Sequence, residues 1–316
     1  MTVRLEAGED DAGRRLDRVL RRALPGLPLS LVHRLLRQGK VAVDGEPAGP
    51  GTRVRPGSAI LVAAPVGPPG GPSGPAEGGP RGLPPLPEVL ARGAGVVIFN
   101  KPAGLASHGP GSLDEAVKAR LAGKAAASLS FRPGPLHRLD RSTSGAIAFS
   151  ESLAGARLFS GLLRERGVAR AYLAIAEGRI PGGVALWRDD LLRDRAARKT
   201  LAASAGEGRA KAAETSVRAL AAAGRYTLVE ARIATGRTHQ IRAQAAARGC
   251  PLAGDAKYGA SPLPGCRGFF LHAWKIEFGA EVAGLPRVVV APPPGEFMEL
   301  ALSAFGRQSL EGLFRL

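Results

Sequence analysis

The sequence contains few cysteines and no long apolar run. Of its 316 residues only Cys250 and Cys266 are cysteine, and they form no CxxC pair. Neither His239 nor His272 is spaced from them as in a zinc finger, so we expect two reduced thiols and no bound metal. No apolar window of about 18 residues is present, which predicts that no segment crosses a membrane. The first residues, MTVRLEAGEDDAGRR, lack the apolar segment of a secretory signal and predict a cytoplasmic protein.

Acidic residues are also scarce relative to basic ones. The chain has 27 Asp and Glu against 44 Lys and Arg, which gives a net charge of +17. Such an excess attracts polyanions through the release of counterions. A genome rich in G and C also enriches arginine and alanine whatever the function. The charge therefore supports a nucleic-acid partner without deciding it.

A glycine- and proline-rich run, GPPGGPSGPAEGGPRG, occupies residues 67–82. Such a composition forms no packed element and is typical of a linker. The length of the chain favours about two domains. We therefore predict an N-terminal domain at 1–66, a linker at 67–88 and a larger domain at 89–316.

Two amphipathic helices and a hairpin are predicted in the N-terminal domain. Apolar residues recur at helical spacing within 14–24, and a second helix is predicted with Ser30 as N-cap and Gly39 as its stop. Asp44-Gly45 favours a tight turn between short strands. Basic residues occupy the outer faces of the helices: Arg14, Arg15, Arg18, Arg21, Arg22, Arg34, Arg37 and Lys40. A charged helix face is usually just solvated, but Asp17 is the single acid here, which favours an anion-binding face.

The second domain is rich in predicted strands. Alternating or short apolar runs predict strands at 95–99, 145–149, 170–178, 213–220, 225–233 and 269–278. Helical spacing predicts only two helices, at 153–167 and 238–249. Many strands with few helices in irregular order indicate an α+β fold with a mixed, largely antiparallel sheet.

The stretch PLHRLDRSTSG at 135–145 places a polar cluster directly before an apolar strand. Arg138 and Arg141 flank Asp140. Neighbouring arginines keep a carboxylate ionised, which suits a nucleophile or an anionic stabiliser and not a general acid. A structural salt bridge in the loop is an equally good interpretation.

A hydrolase triad of His137, Asp140 and Ser144 is a weaker alternative. The serine of a nucleophile elbow lies in GxSxG between a strand and a helix, whereas Ser144 precedes a strand. Members of a triad are also usually distant in sequence.

HRLDRSTSG resembles the HRLDxxTSG signature of the RluA-type pseudouridine synthases. Further stretches resemble motifs of this family in the same order: NKPAGLASHG (100–109), ARAYLAIAEG (169–178), LVEARIATGRTHQIRAQAAARGCPLAGDAKYG (228–259) and FFLHAWKIEF (269–278). The N-terminal order of two helices, VAVDG hairpin and strand resembles the S-four RNA-binding domain. The resemblance implies a pseudouridine synthase fold behind a small α/β RNA-binding domain.

The resemblance implies that a uridine in RNA loses its base–sugar bond and that the uracil rejoins the ribose through carbon-5. Asp140 would be the catalytic carboxylate, acting either on the sugar as nucleophile or as a base. Tyr172, one of three tyrosines, would pack on the uracil and help to remove the carbon-5 proton, although a core aromatic is the alternative. Arg242 would pair with Asp140, and Arg138 would fill the space left by the flipped base. No metal or organic cofactor is implied.

Other residues of the motifs are expected to be structural. His137 and His239 are expected to form hydrogen bonds, and Thr143 and Ser144 to hold the loop. The family commonly has Lys before the motif tyrosine with a basic neighbour, whereas this chain has Ala171 after Arg170.

The resemblance favours large-subunit ribosomal RNA as substrate, held in part by Arg14, Arg18, Arg34, Arg37 and Lys40, and a monomeric enzyme. Transfer RNA and a non-catalytic RNA-binding assembly factor are the alternatives.

Overall fold

The structure is a computed structural model that describes residues 2–63, 82–121, 128–194, 196–203, 209–266 and 268–314. Residues 67–81 of the predicted linker lie outside these ranges. The chain forms two compact units, of which the first contains Met1–Leu86, Pro110–Gly134 and Ser150–Leu158. The second contains Pro87–Gly109, Pro135–Phe149 and Phe159–Leu316. The domain limits at 66 and 89 stay a prediction.

The first unit combines a small antiparallel sheet with helices. Its strands, in the spatial order β1-β4-β2-β3, are β1 (Thr2–Glu6), β2 (Val41–Val43), β3 (Glu46–Pro47) and β4 (Ala59–Ala63). The helices are α1 (Leu16–Ala23), α2 (Leu29–Arg37) and α3 (Leu113–Leu121). The apolar faces of α1 and α2 share one buried core with β1, β2 and β4, as their helical and alternating patterns predict.

Local chemistry explains where these elements begin and end. The predicted N-cap at Ser30 is wrong, because α2 begins at Leu29 with Pro28 as its N-cap. The ring of Pro28 holds φ at −56°, and ψ of 143° gives the extended entry that a helix start needs. The predicted hairpin turn is confirmed. Asp44 and Gly45 have φ of 53° and 92°, as a tight two-residue turn requires.

A buried carboxylate ties a distant segment to the N-terminal module. Asp11 lies in a 3-10 helix at Glu9–Asp11 and has no exposed surface. It accepts hydrogen bonds from Ser128 Oγ at 2.9 Å, from the backbone N–H of Leu129 at 2.7 Å and from that of Ser130 at 3.0 Å. The side chain of Leu129 packs against the core of the module. Residues 128–130 therefore complete this core from beyond the N-terminal segment.

The second unit is built on one large sheet. Its strands follow the order β11-β10-β12-β13-β9-β14-β8-β6-β5, with β15 beside β14 and β7 beside β8. They are β5 (Val89–Gly93), β6 (Val96–Lys101), β7 (Gly134–Pro135), β8 (Ser144–Ser150), β9 (Val168–Glu177), β10 (Val184–Asp194), β11 (Lys199–Ala202), β12 (Lys211–Ala223), β13 (Tyr226–Ile233), β14 (Leu271–Phe278) and β15 (Val288–Val290). Strands β8 and β14 pair in parallel, whereas β9 pairs antiparallel with both β13 and β14.

Three helices accompany these strands: α4 (Leu153–Arg164), α5 (Gln240–Ala247) and α6 (Gly295–Phe305). The predicted α+β class with a mixed, largely antiparallel sheet is confirmed. The second predicted helix begins later than expected, because His239 has φ of 54° and a left-handed residue cannot continue a right-handed turn. Strands β1, β5, β7, β10, β11 and β15 and helices α3 and α6 were not predicted. Within the described ranges, no helix is both long and apolar enough to cross a membrane.

Candidate active site

The loop that carries Asp140 leads into β8, where the structure requires glycine at position 145. Gly145 lies in β8 with φ of 106°, and a Cβ atom there would come within 2.2 Å of the Ala273 carbonyl oxygen. Only glycine therefore allows β8 to run this close to β14. The close contact with Ala273 is what requires glycine at this position.

Two side chains from the preceding motif fix the loop on both sides of Asp140. Ser107 Oγ donates to the Leu139 carbonyl at 2.8 Å and accepts the Leu139 N–H at 3.2 Å. Lys101 Nζ donates to the carbonyls of Arg141 at 3.2 Å and Leu105 at 2.8 Å. Burial lowers the pKa of Lys101 to about 7, although the Asp140 carboxylate acts in the opposite direction. The backbone of Asp140 is thus held from both neighbouring peptides.

Helix α5 presents Arg242 to Asp140 from the other side of the site. Arg242 Nη1 donates to Asp140 Oδ2 at 3.0 Å. Its Nε and Nη2 donate to the two carboxylate oxygens of Asp255 at 2.7 and 2.9 Å, which is the bidentate geometry that suits a guanidinium. The guanidinium carbon lies 3.9 Å from the centre of the Phe269 ring. Arg242 is therefore fixed in one position before any ligand binds.

The electrostatics of this group keep a positive charge beside the Asp140 carboxylate. Burial opposes the charge of Arg242, but Asp255 and then Asp140 raise its pKa, so the guanidinium stays charged. Oδ1 of Asp140 accepts no hydrogen bond from the part of the protein that is described, and 17% of the Asp140 side chain is exposed. One carboxylate oxygen is thus anchored and the other is available to a ligand.

Tyr172 and Asp140 line the same cavity. This cavity has a volume of about 500 Å³ and is bordered by the Asp140 loop, by β9, by the segment after β13 and by the start of α5. Tyr172 lies in β9 with only 6% of its surface exposed. Burial raises the pKa of its hydroxyl, so the phenol is neutral at neutral pH. The cavity has the size of a small-molecule site and could hold a single base with its sugar.

Arg138 lies at the entrance of this cavity. Its side chain is exposed and also lines a neighbouring cavity of about 450 Å³ together with Arg141 and Lys257. Among the described residues, it has no hydrogen-bond or ion-pair partner. A guanidinium in this state is free to move towards a ligand. Arg237, also at the cavity, donates instead from Nε to the Ala212 carbonyl at 3.0 Å and braces the loop after β13.

The histidines of the motifs have structural partners. His137 Nε2 accepts the backbone N–H of Ala148 at 3.1 Å, and burial lowers the pKa of this ring to about 3. His239 Nδ1 lies 3.0 Å from the hydroxyl of Tyr258, and burial lowers the pKa of His239 to about 4. Both rings are neutral at neutral pH.

The hydrolase triad is not assembled. Ser144 Oγ lies 2.9 Å from Nδ1 of His272, whose Nε2 donates to the Ala291 carbonyl at 2.9 Å. Because His137 bonds to Ala148, Ser144 and His137 have separate partners. Ser144 was expected to hold the loop through the backbone, but its hydroxyl instead bonds to a side chain of β14. Thr143 donates its backbone N–H to the Asp140 carbonyl at 3.1 Å.

The basic residues predicted at the N-terminus belong to the first unit, on and beside α1 and α2. Asp17 is bound by Arg15, with Nη2 and Oδ2 2.9 Å apart. Among the described residues, none of the other basic side chains of this face forms an ion pair. Those fully exposed are Arg18, Arg21, Arg22, Arg34, Arg37 and Lys40, and Arg14 is half-buried. The surface is therefore an uncompensated positive face.

Sequence reasoning did not single out Asp255, Tyr258, Lys101 or Ser107. Each lies inside a stretch that resembles a family motif, in GDAKYG or in NKPAGLASHG. Asp255 could have been noticed as an acidic residue that follows Gly254 in a motif whose charged residues are mostly basic. A buried arginine requires a carboxylate partner, so such an acid is a candidate. In the described part of the chain, no group of three or more His, Cys, Asp or Glu side chains is arranged to hold a metal ion.

Comparison with known proteins agrees with this geometry. The profile of the RNA pseudouridylate synthase family matches residues 95–247, and that of the S4 domain matches residues 14–60. The chain belongs to the RNA pseudouridylate synthase family. It is 30% identical to "Ribosomal large subunit pseudouridine synthase C" of Haemophilus influenzae over 292 residues, 87% of this chain and 86% of that protein. The protein of the same name from Escherichia coli K12 is 30% identical over 310 residues, 90% of each chain.

A solved structure supports the fold. "Human RNA Pseudouridylate Synthase Domain Containing 4" aligns with a TM-score of 0.53 at 23% identity, covering 71% of this chain and 92% of that chain. At this identity the likeness concerns the fold alone.

Proposed function

We propose that the protein isomerises specific uridines of large-subunit ribosomal RNA to pseudouridine, in the cytoplasm and as a monomer. The observation that carries the proposal is the Asp140 carboxylate, which Arg242 contacts at 3.0 Å in a cavity lined by Tyr172. The relatives that share 30% identity are named as large-subunit ribosomal RNA enzymes, which supports this substrate class.

Asp140 and Tyr172 have different roles in the proposed reaction. Asp140, paired with Arg242, acts on the ribose while the bond between nitrogen-1 of uracil and carbon-1′ breaks. The detached uracil turns inside the cavity, where Tyr172 packs against it. Carbon-5 then bonds to carbon-1′ and loses its proton, and nitrogen-1 takes up a proton. Apart from this proton exchange every atom of the uridine is retained, so no second substrate enters the balance.

Arg138 has a different part in the proposal. A base must leave its stack before it can enter the cavity, which costs a few kcal/mol. The unpartnered Arg138 at the cavity entrance can stack in the gap that the base leaves and offset part of this cost. The positive face of the first unit, with Arg14, Arg18, Arg34, Arg37 and Lys40, contributes phosphate contacts that hold the RNA.

The test measures pseudouridine in an unmodified large-subunit RNA transcript after incubation with wild type and with Asp140→Asn. Asparagine keeps the shape and an oxygen acceptor for Arg242 but removes the charge. We expect full conversion by wild type, none by Asp140→Asn, and RNA affinity within about threefold, since RNA binding rests mainly on phosphate contacts elsewhere. Asp190→Asn, an exposed carboxylate in β10, is the matched control.

Three outcomes would contradict parts of the proposal. Full activity of Asp140→Asn would exclude the assigned role of the carboxylate. Activity on a transfer RNA transcript alone would replace the substrate. Tight binding without turnover on either RNA would favour a non-catalytic assembly factor.

A further inference from the structure

Arg170 shares both the face and the cavity of Tyr172. It lies two positions before Tyr172 in β9, and residues two apart in a strand point to the same side. Both side chains line the cavity of Asp140. Its guanidinium lies against Gly236, where an added Cβ would come within 3.3 Å of Nη1. The absence of a side chain at Gly236 therefore keeps room beside the guanidinium.

Among the described residues, no carboxylate pairs with the guanidinium of Arg170. Its Nε is fully buried and has no hydrogen-bond partner in that part of the chain. Arg242 in the same cavity shows the contrast, because it contacts both Asp140 and Asp255. A polar atom that is buried without a hydrogen bond costs free energy. Arg170 as a whole is half-buried and lies in a cavity open to ligand, which suggests that the missing partner is an anion supplied by the substrate.

Neighbouring groups are already affected by this charge. Burial is the main reason why the pKa of His137 falls to about 3, and Arg170 contributes in the same direction. For Tyr172, burial raises the pKa and Arg170 opposes that rise. Arg170 therefore favours negative charge at the position where Tyr172 packs on the base, independently of Arg242.

We propose that Arg170 is a catalytic residue that stabilises negative charge on the uracil while the base is detached from the ribose. This inference rests on the proposed function. When the bond between nitrogen-1 and carbon-1′ breaks, its electron pair goes to the uracil, and the charge spreads over the ring nitrogens and carbonyl oxygens. The electron-poor sugar lies beside the Asp140 carboxylate. When carbon-5 attacks carbon-1′, the uracil uses that electron pair for the new bond; carbon-5 then releases its proton and nitrogen-1 takes up a proton.

Binding an RNA phosphate would be a simpler role for such an arginine. The two roles differ in when the negative charge is present. A phosphate carries its charge before, during and after the reaction, so losing that contact weakens binding. The uracil anion exists only after the bond breaks, so losing its stabiliser lowers the rate and not the affinity. Fluorine at carbon-5 withdraws electrons and stabilises the detached base by itself. A 5-fluorouridine substrate should therefore depend less on Arg170.

The experiment compares wild type, Arg170→Gln and Arg170→Lys in single-turnover reactions with saturating enzyme. The RNA carries either uridine or 5-fluorouridine at the target position, and loss of the nucleoside is followed by chromatography and mass spectrometry. We expect Arg170→Gln to slow the uridine reaction about 100-fold, as when one donor to a developing anion is removed. The 5-fluorouridine reaction should slow by no more than about a tenth of that factor, while RNA affinity stays near wild type. Arg170→Lys, which retains the cation, should restore part of the uridine rate.

Arg157→Gln is the matched control, because Arg157 is exposed on α4 and loses the same charge outside the cavity. Equal slowing of both substrates by Arg170→Gln, or a weaker RNA affinity with unchanged saturated rates, would overturn the inference. If the glutamine variant does not fold, the ratio of the two substrates for Arg170→Lys decides in the same way. Wild type that forms no pseudouridine would overturn the proposed function itself. The wild-type reaction with the uridine RNA shows this result separately.

Discussion

The arginines on helices α1 and α2 and those around Asp140 carry the same charge in opposite surroundings. On the helices, Arg18, Arg34 and Arg37 are exposed and form no ion pair with the described residues. Around Asp140, Arg242 is 5% exposed and bound to two carboxylates and an aromatic ring. An exposed charge in water is mobile and screened by salt, whereas a buried one acts at a fixed position and at low dielectric.

This difference indicates two uses of positive charge. The helical face can attract and hold a polyanion over a distance without defining the position of any atom. The buried Arg242 instead holds its charge at one position, because Asp140 and Asp255 bind it before substrate arrives. We expect substitutions in the first set to alter affinity and its salt dependence, and those in the second to alter rate and stability.

Among the substitutions that compare the two sets of arginines, Asp255→Asn is expected to have the largest effect on rate and stability. Arg242 would lose the carboxylate that it contacts at 2.7 and 2.9 Å, and its guanidinium would be free to shift away from Asp140. We expect a pseudouridine rate about 100-fold lower, the size of effect that a misplacement of about 1 Å causes. Unfolding in urea should show a free energy lower by about 3 kcal/mol, because a buried ion pair is broken.

Glu214→Gln is the control for this variant, since Glu214 accepts from Arg188 at 3.1 Å at a largely exposed pair. We expect a loss of less than about 1 kcal/mol and an unchanged rate. If Asp255→Asn kept the wild-type rate, the ion pair of Arg242 with Asp255 would not be needed for the reaction. The contrast between the two sets of arginines would then be wrong.

A smaller effect is expected on the helical face. The double variant Arg34→Gln with Arg37→Gln should lower RNA affinity and reduce the slope of log affinity against log salt by about 1 for each arginine that contacts a phosphate. The single-turnover rate at saturating RNA should not change. Fluorescence titrations at several salt concentrations measure this. An unchanged slope would show that the face is only solvated.

Point substitutions are the sharper test of this face, compared with deletion of residues 1–66. Deletion would remove Asp11, which receives hydrogen bonds from Ser128 and from the backbone at 129 and 130. It would also uncover Leu129. A weaker affinity after deletion could therefore arise from a damaged core instead of lost phosphate contacts. The exposed pair Arg157→Gln with Arg166→Gln controls for the change in net charge.

The smallest effect on rate is expected for Ser144→Ala. The hydroxyl of Ser144 bonds to His272 and both residues are at most 4% exposed. Its removal leaves the Nδ1 of His272 without a donor, which costs about 1–2 kcal/mol of stability. Pseudouridine formation should stay within about threefold of wild type, because the saturated rate depends on interactions made in the transition state. Loss of pseudouridine formation with intact folding would instead show that the Ser144 hydroxyl takes part in the reaction.

The sequence by itself determined the features that depend on neighbours along the chain. The apolar spacing of α1, the Asp44-Gly45 turn and the polar cluster around Asp140 could all be predicted, because helix faces, tight turns and short motifs are local properties. The order of motifs also implied Asp140, Tyr172 and Arg242 as partners in one site. Their catalytic roles stay predictions.

Only the tertiary structure decided which charges are paired. Arg242 and Asp255 are 13 positions apart, and Ser144 and His272 are 128 apart. No local sequence pattern shows that Asp255 holds the guanidinium of Arg242 in place. None shows that the Ser144 hydroxyl is buried against His272. Arg170 is the clearest case, because it differs from other arginines of this basic chain only in what surrounds it. Pairing of β9 with β13 and β14 places it in the cavity of Asp140 with no carboxylate paired to it among the described residues, and electrostatic energy depends on that three-dimensional environment.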